Sequence, residues 1–199
     1  MPLLLEKQID AAKKMGVWDI TEPLSFFEEE TGIISPESLT LKRRTEQMAA
    51  SHLLNTLAGK KIHNYLDKTE TGKPVLSGLN ASVSFSHSKN LIACIYDTDG
   101  KEVGIDIEIL RENILNMKHK FVKETDSSPF TDPVMHGHLI WGAKEVLYKI
   151  YALKELDFLG HLSVEYNTEL IGNINKNQFN RSYVLDYQMI DRFLLVWNI

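Results

Sequence analysis

Two stretches of the chain place charged side chains inside patterns that are otherwise apolar. In "EVGIDIEIL" the residues Val103, Ile105, Ile107 and Ile109 alternate with Gly104, Asp106, Glu108 and Leu110. Side chains alternate across a strand, so Asp106 and Glu108 share one face with Cα atoms about 6.6 Å apart. Two readings stand: a solvated strand face, or a repelling carboxylate pair that a cation would relieve. In "HLIWGAKEVLYKIY" the residues Leu139, Ala143, Val146 and Ile150 mark the buried stripe of a helix. Trp141, Glu145 and Lys149 form another stripe at i, i+4, i+8. A surface Glu–Lys pair, contributing roughly 0.2–0.5 kcal/mol to a helix, explains two of them. It leaves Lys144 and the indole of Trp141 without a role, and raises the question of an anionic or metallic neighbour.

Other candidates are weaker alone. "SVSFSHS" ends a strand in Ser86, His87 and Ser88, and "TGKP" places Lys73 in a turn shaped by Gly72 and Pro74. "LKRR" supplies Lys42, Arg43 and Arg44, ordinarily the solvated side of a helix. The only cysteine, Cys94, sits in the apolar run "LIACIYD", which suits a buried small hydrophobe better than a nucleophile.

The elements that must hold these residues are mixed. "MGVWDITEPLSFFEEE" reads as a short aromatic strand, then Thr21 as a helix cap. "ISPESLTLKRRTEQMAASHLLNTLAGKK" reads as a long helix with Met48, Leu53, Leu54 and Leu57 inward and Gly59 as its stop. Ala81 to Phe85, Asn90 to Asp97 and Glu102 to Ile109 read as strands, the last two joined by a hairpin through "TDGK". "RENILNMKHKF" reads as a helix and "TDSSPFTDP" as a loop, and strands are expected around Leu162 to Tyr166 and Phe193 to Trp197. The fold class is therefore α+β, with antiparallel sheet.

At 199 residues the chain suits one domain or two small lobes, and 43% hydrophobic residues are enough for a folded core. "MPLLLEKQID" lacks the basic flank and the apolar length of a signal peptide, and no stretch approaches the ~20 apolar residues of a membrane span. A cytoplasmic protein that does not enter membranes is expected. The net charge of −5 argues against general nucleic-acid binding.

Taken in order, GKP, SFSHS, GIDIE and WGAKEVLYK resemble the motif series of the 4′-phosphopantetheinyl transferases across residues 71 to 151. "VWDIT" and the basic helix are similar to the N-terminal half of the longer, surfactin-synthetase-activator type. The resemblance implies two pseudo-symmetric lobes in one chain, each an antiparallel sheet packed with helices. It divides the chain into residues 1–98, on the coenzyme A 3′-phosphate and adenine side, and residues 99–199, with the metal and catalytic residues. The active site would lie between them, and the chain would act as a monomer. The implied reaction moves 4′-phosphopantetheine from coenzyme A to a serine of an apo acyl or peptidyl carrier protein, releasing adenosine 3′,5′-bisphosphate. Fatty-acid, polyketide and nonribosomal-peptide carriers all remain open.

The same resemblance assigns roles. Asp106, Glu108 and Glu145 would hold Mg²⁺, with Mn²⁺ as a substitute. Glu145 and Lys149 would be catalytic; either Glu145 or a metal-bound water that it orients takes the serine proton, and Lys149 stabilises the leaving phosphate. Coenzyme A would be bound by Arg43, Arg44, His52, Lys73, Ser86, His87, Lys144 and Lys149. His52 stands where many relatives carry Arg, which implies weaker or more pH-sensitive binding. In "NILNMKHKF" the residues Met117, Lys118, Lys120 and Phe121 would dock the carrier protein, although the same pattern also describes a core face flanked by solvated lysines. The alternative function is a catalytically silent coenzyme A or carrier-protein binding module of the same fold.

Overall fold

Turn chemistry and burial set the boundaries of the elements. The computed structural model describes residues 2–153 and 155–199, and the chain divides into two units, Met1–Val103 and Gly104–Ile199. Both are α+β with antiparallel sheets.

In the first unit β1 (Leu3–Gln8) and β2 (Lys13–Asp19) precede α1 (Leu24–Thr31) and α2 (Leu41–Ala58). A 3₁₀ turn at His63–Tyr65 leads into β3 (Leu66–Lys68) and β4 (Pro74–Leu76), then β5 (Ser82–Ser88) and β6 (Leu91–Asp97). The main sheet runs β1-β2-β6-β5, and β3 pairs with β4 separately. Helix α2 begins where the Thr40 hydroxyl accepts from the Arg43 N–H at 3.4 Å and stops at Gly59, whose φ of 66° is left-handed. Its inner face, Leu53, Leu54 and Leu57, joins Trp18, Phe27 and Cys94 in the core. Burial pushes the Cys94 thiol well up, so it packs as a small hydrophobe. Thr21 does not cap α1; Pro23 holds that position, with no side-chain bond.

The expected hairpin through "TDGK" is absent. Strand β6 pairs with β2 and β5, and the hairpin is the one from β5 to β6, turning at Lys89 with φ 59°. After β6 the Asp97 carboxylate accepts from the Asp99 and Lys101 N–H groups at 2.8 and 3.1 Å. That side-chain turn takes up the backbone donors a ladder would need, and the chain leaves the sheet.

The second unit opens with β7 (Ile105–Ile109), followed by α3 (Ile114–Met117), a 3₁₀ turn at Lys118–Lys120 and α4 (Pro133–Tyr151). Strands β8 (Leu162–Tyr166), β9 (Leu170–Lys176), β10 (Phe179–Ile190) and β11 (Phe193–Asn198) complete it. The sheet order β7-β11-β10-β9-β8 leaves β7 at an edge, paired with β11. Helix α4 starts on Asp132, which accepts from the Met135 N–H at 2.8 Å, with Pro133 in its first turn. Leu139, Ala143, Val146 and Ile150 are all buried, as the stripe predicts. Among the described residues no helix is long and apolar enough to cross a membrane.

Two glycines let α4 lie close to the β7 edge. A Cβ on Gly104 would stand 2.6 Å from the Val146 carbonyl oxygen, and one on Gly142 would stand 2.9 Å from Val196 Cγ2. The first contact is with backbone, which no rotamer change can relieve. Gly104→Ala should therefore cost roughly 1–3 kcal/mol, the usual range for overpacking. Urea unfolding of the variant checks this; an unchanged midpoint would mean that the helix yields without strain.

Candidate functional site

The period-two face of β7 is not solvated. Gly104 and Asp106 point at α4: Gly104 lies under Val146, and a Cβ on Gly142 would come 3.7 Å from Asp106 Oδ2. Asp106 is 4% exposed, so the solvated-face reading fails. Glu108 follows two residues on, on the same face. Glu145 and Lys149, one turn apart on α4, meet this face: Lys149 Nζ donates to Asp106 Oδ1 at 2.7 Å and to the Ile105 carbonyl at 2.8 Å.

Three carboxylates thus lie about the Lys149 ammonium, which bonds Asp106, and their electrostatics record the excess of negative charge. Burial pushes the Glu108 carboxyl up to about 7, and Asp106 and Glu145 add to the rise while Lys149 and Arg111 oppose it. Burial likewise pushes Glu145 up to about 7, with Asp106 adding and Lys149 opposing. Each carboxylate that ionises here raises the cost of the next. Among the described residues no three His, Cys, Asp or Glu side chains are grouped so that they alone could hold a metal ion.

Lys144 requires a correction. It does not face the carboxylates or a phosphate; it is fully buried, and its Nζ donates to Asp126 Oδ2 at 2.6 Å, the Phe121 carbonyl at 2.7 Å and the Phe158 carbonyl at 3.0 Å. All three ammonium protons are used. Burial lowers its pKa and Asp126 opposes that shift. Asp126, which sequence reasoning passed over, also accepts from the Lys123 and Val164 N–H groups at 2.8 Å each. Phe121 is the second correction: it is 1% exposed and packs edge-on against Trp141 at 5.0 Å, so it is core and not docking surface. The expected helix breaks at Met117 into a 3₁₀ turn, which removes the i, i+4 relation to Phe121. Met117, Lys118 and Lys120 are exposed.

The first unit holds the remaining candidates. His87 on β5 is exposed, with Nε2 3.9 Å from Glu46 Oε2 on α2. Glu46, another carboxylate not singled out in the sequence, also lies 3.7 Å from Lys42 Nζ. Ser86 sits beside His87 on β5, opposite Ala93. Lys73 is half-buried in its turn, where its N–H donates to Thr69 Oγ1 at 3.1 Å. Burial lowers the Lys73 pKa and Glu102 partly restores it. Arg43 is exposed. Arg44 is tied inward, its Nε donating to Ser35 Oγ at 2.7 Å and its guanidinium 3.3 Å from Glu28 Oε1. His52 packs edge-on against Trp18, Phe26 and Phe27 at 4.7, 5.6 and 5.9 Å, and burial lowers its pKa although Glu30 and Glu22 oppose.

In comparisons with known proteins, no family model matches the chain and no curated protein matches it significantly.

Two predictions follow from these charges. Lys144→Ala leaves Asp126 charged and buried, and should destabilise the protein by roughly 3–5 kcal/mol, the range for breaking a buried pair. Chemical denaturation measures it, and a loss below about 1 kcal/mol, as for an exposed pair, would contradict the buried role. The second concerns pH. With carboxyls raised from 4.5 to about 7, the folded chain holds protons across that window that the unfolded chain has released, so stability falls as pH rises through it. His52, His63, His136 and His138, held below 6.5 by burial, act in the opposite sense, so the comparison must be between variants. Glu145→Gln should melt higher than wild type at pH 8, with the gap closing toward pH 5. A gap independent of pH would show that packing, not charge, separates the two proteins.

Proposed function

We propose that the protein transfers the 4′-phosphopantetheine group of coenzyme A to a serine hydroxyl of an apo acyl or peptidyl carrier protein, with Mg²⁺, releasing adenosine 3′,5′-bisphosphate. The reading is supported above all by one observation: Asp106, Glu108, Glu145 and Lys149 meet where α4 faces β7. The GKP, SFSHS, GIDIE and WGAKEVLYK stretches then acquire roles in a single reaction. Each unit builds an antiparallel sheet with a long helix, α2 in one and α4 in the other, which agrees with a two-lobed transferase of the longer type.

The donor set fits a metal of a particular kind. Mg²⁺ is usually held by one or two carboxylates plus substrate phosphates, so a ready-made protein cage is not required. A monovalent cation, the Lys149 ammonium, already stands at Asp106 Oδ1. Asp106, Glu108 and Glu145 would hold the metal. When bound, Mg²⁺ would supply charge neutralisation at the pyrophosphate.

The chain's own groups account for the remaining steps. The serine oxygen bonds to the β-phosphorus of coenzyme A, and the bond from that phosphorus to the oxygen of adenosine bisphosphate breaks. Glu145, with its carboxyl at about 7, is suited to take the serine proton near neutral pH. Lys149 steadies the departing phosphate. Lys73, Ser86, His87 and Arg43 are assigned to the 3′-phosphate, where Glu46 offsets part of the positive charge. Arg44 and His52, engaged internally, shape that region rather than reach into it. The exposed Met117, Lys118 and Lys120 would meet the acidic helix beside the carrier serine.

Intact mass spectrometry tests the reading directly. Candidate apo carrier proteins incubated with this protein, coenzyme A and Mg²⁺ should gain one phosphopantetheine; EDTA should stop the gain, and added Mg²⁺ or Mn²⁺ should restore it. Coenzyme A binding without any mass gain would leave the silent binding module. Neither binding nor gain would overturn both readings.

A further inference from the structure

Lys149 does more here than wait beside the carboxylates. Its ammonium contacts two successive β7 residues, Asp106 Oδ1 at 2.7 Å and the Ile105 carbonyl at 2.8 Å. The Asp106 side chain is 5% exposed and that of Lys149 23% exposed. A carboxylate this deeply buried needs a charge partner, and Lys149 supplies one. The carboxylates outnumber the cations beside them, a condition under which a divalent ion competes well.

We propose that Lys149 is a tethered stand-in cation, seated on Asp106 in the metal-free protein and displaced when a divalent metal enters, so that metal entry frees an ammonium to bind an anion beside it. The inference rests on the reading of Asp106, Glu108 and Glu145 as a metal site. A divalent ion on Asp106 Oδ1 and an ammonium 2.7 Å from the same atom compete for one position and repel each other there. The stem of Lys149 is flexible, and its part-exposed end has a route away from β7. The metal and an anionic substrate are then coupled through one side chain: the ion that neutralises the carboxylates also releases the ammonium.

The test uses the full chain and Mn²⁺ alone, with binding followed by electron paramagnetic resonance of the free ion. Lys149→Met removes the competitor and should bind Mn²⁺ about tenfold more tightly than wild type, within the usual range of a coupling between sites. Lys149→Arg keeps a cation and should remain near wild type. Equal or weaker Mn²⁺ binding by Lys149→Met, with wild type still binding, would overturn the stand-in role and leave the metal site standing. No binding of Mn²⁺ by any of the three proteins would overturn the metal site and the stand-in role together. Because the Met variant takes a charge from beside the buried Asp106 and could fold poorly, a second measurement uses the unaltered protein. Acetylation of Lys149, read by mass spectrometry against the exposed Lys118 as reference, should accelerate several-fold when Mg²⁺ is added. Unchanged or slower acetylation would show that the ammonium stays on Asp106, against the proposal.

Discussion

The approach of α4 to β7 is the constraint from which the chemistry of the second unit follows. Where Gly104 passes under the Val146 carbonyl and Gly142 under Val196, the helix comes within reach of a strand face that would otherwise be solvated. Burial of Asp106, the ion pair with Lys149 and the upward shifts of Glu108 and Glu145 all follow from that short distance. A side chain at either glycine would move the helix outward, admit water and weaken each of these effects at once. The glycines in "GIDIE" and "WGAKE" thus belong to the site as much as its carboxylates do.

Helix geometry separates the two lysines of α4. Positions four apart differ by about 40° around an α-helix and positions five apart by about 140°, so Glu145 and Lys149 share a face while Lys144 looks away from Lys149. The outcome is two ion pairs of opposite character. Lys144 with Asp126 is closed: every ammonium proton has an acceptor, and the carboxylate accepts two further N–H groups. Lys149 with Asp106 is open, part-exposed and outnumbered by carboxylates. The closed pair fixes the segment before α4 against β8, and the open pair keeps its ammonium part-exposed.

Much of this was legible in the sequence wherever the pattern was periodic. The alternation in "GIDIE" gave the shared face of Asp106 and Glu108, and the stripe from Leu139 to Ile150 gave the buried side of α4. The angular separation of Lys144 from Lys149 was also available, and setting both toward phosphate ignored it. Strands β9 and β10 escaped notice because runs such as "NINK" and "FNRSY" are mostly polar, and owe their ladder to pairing with each other. Phe121 was misread because a helical stripe says which residues align and not which way they face. The turn after β6 was misread because an Asp97 side chain, and not a turn dipeptide, decides where the ladder ends. Asp126 carried no signal at all: a lone acid in a loop declares its partner only when the chain folds.

The contrast between the two ion pairs also argues about purpose. Stability alone favours a buried set that is fully paired, or an apolar one of the same volume. The cluster on β7 and α4 is neither, since it keeps two carboxyls near 7 against the cost of burial and of each other. Folding gains nothing from such excess negative charge. On the reading proposed above a bound cation would gain from it, because positive charge relieves the repulsion among the carboxylates. On that reading the arrangement is weak as a strut and suited to a cation, and the same helix supplies the proper strut on another of its faces, at Lys144.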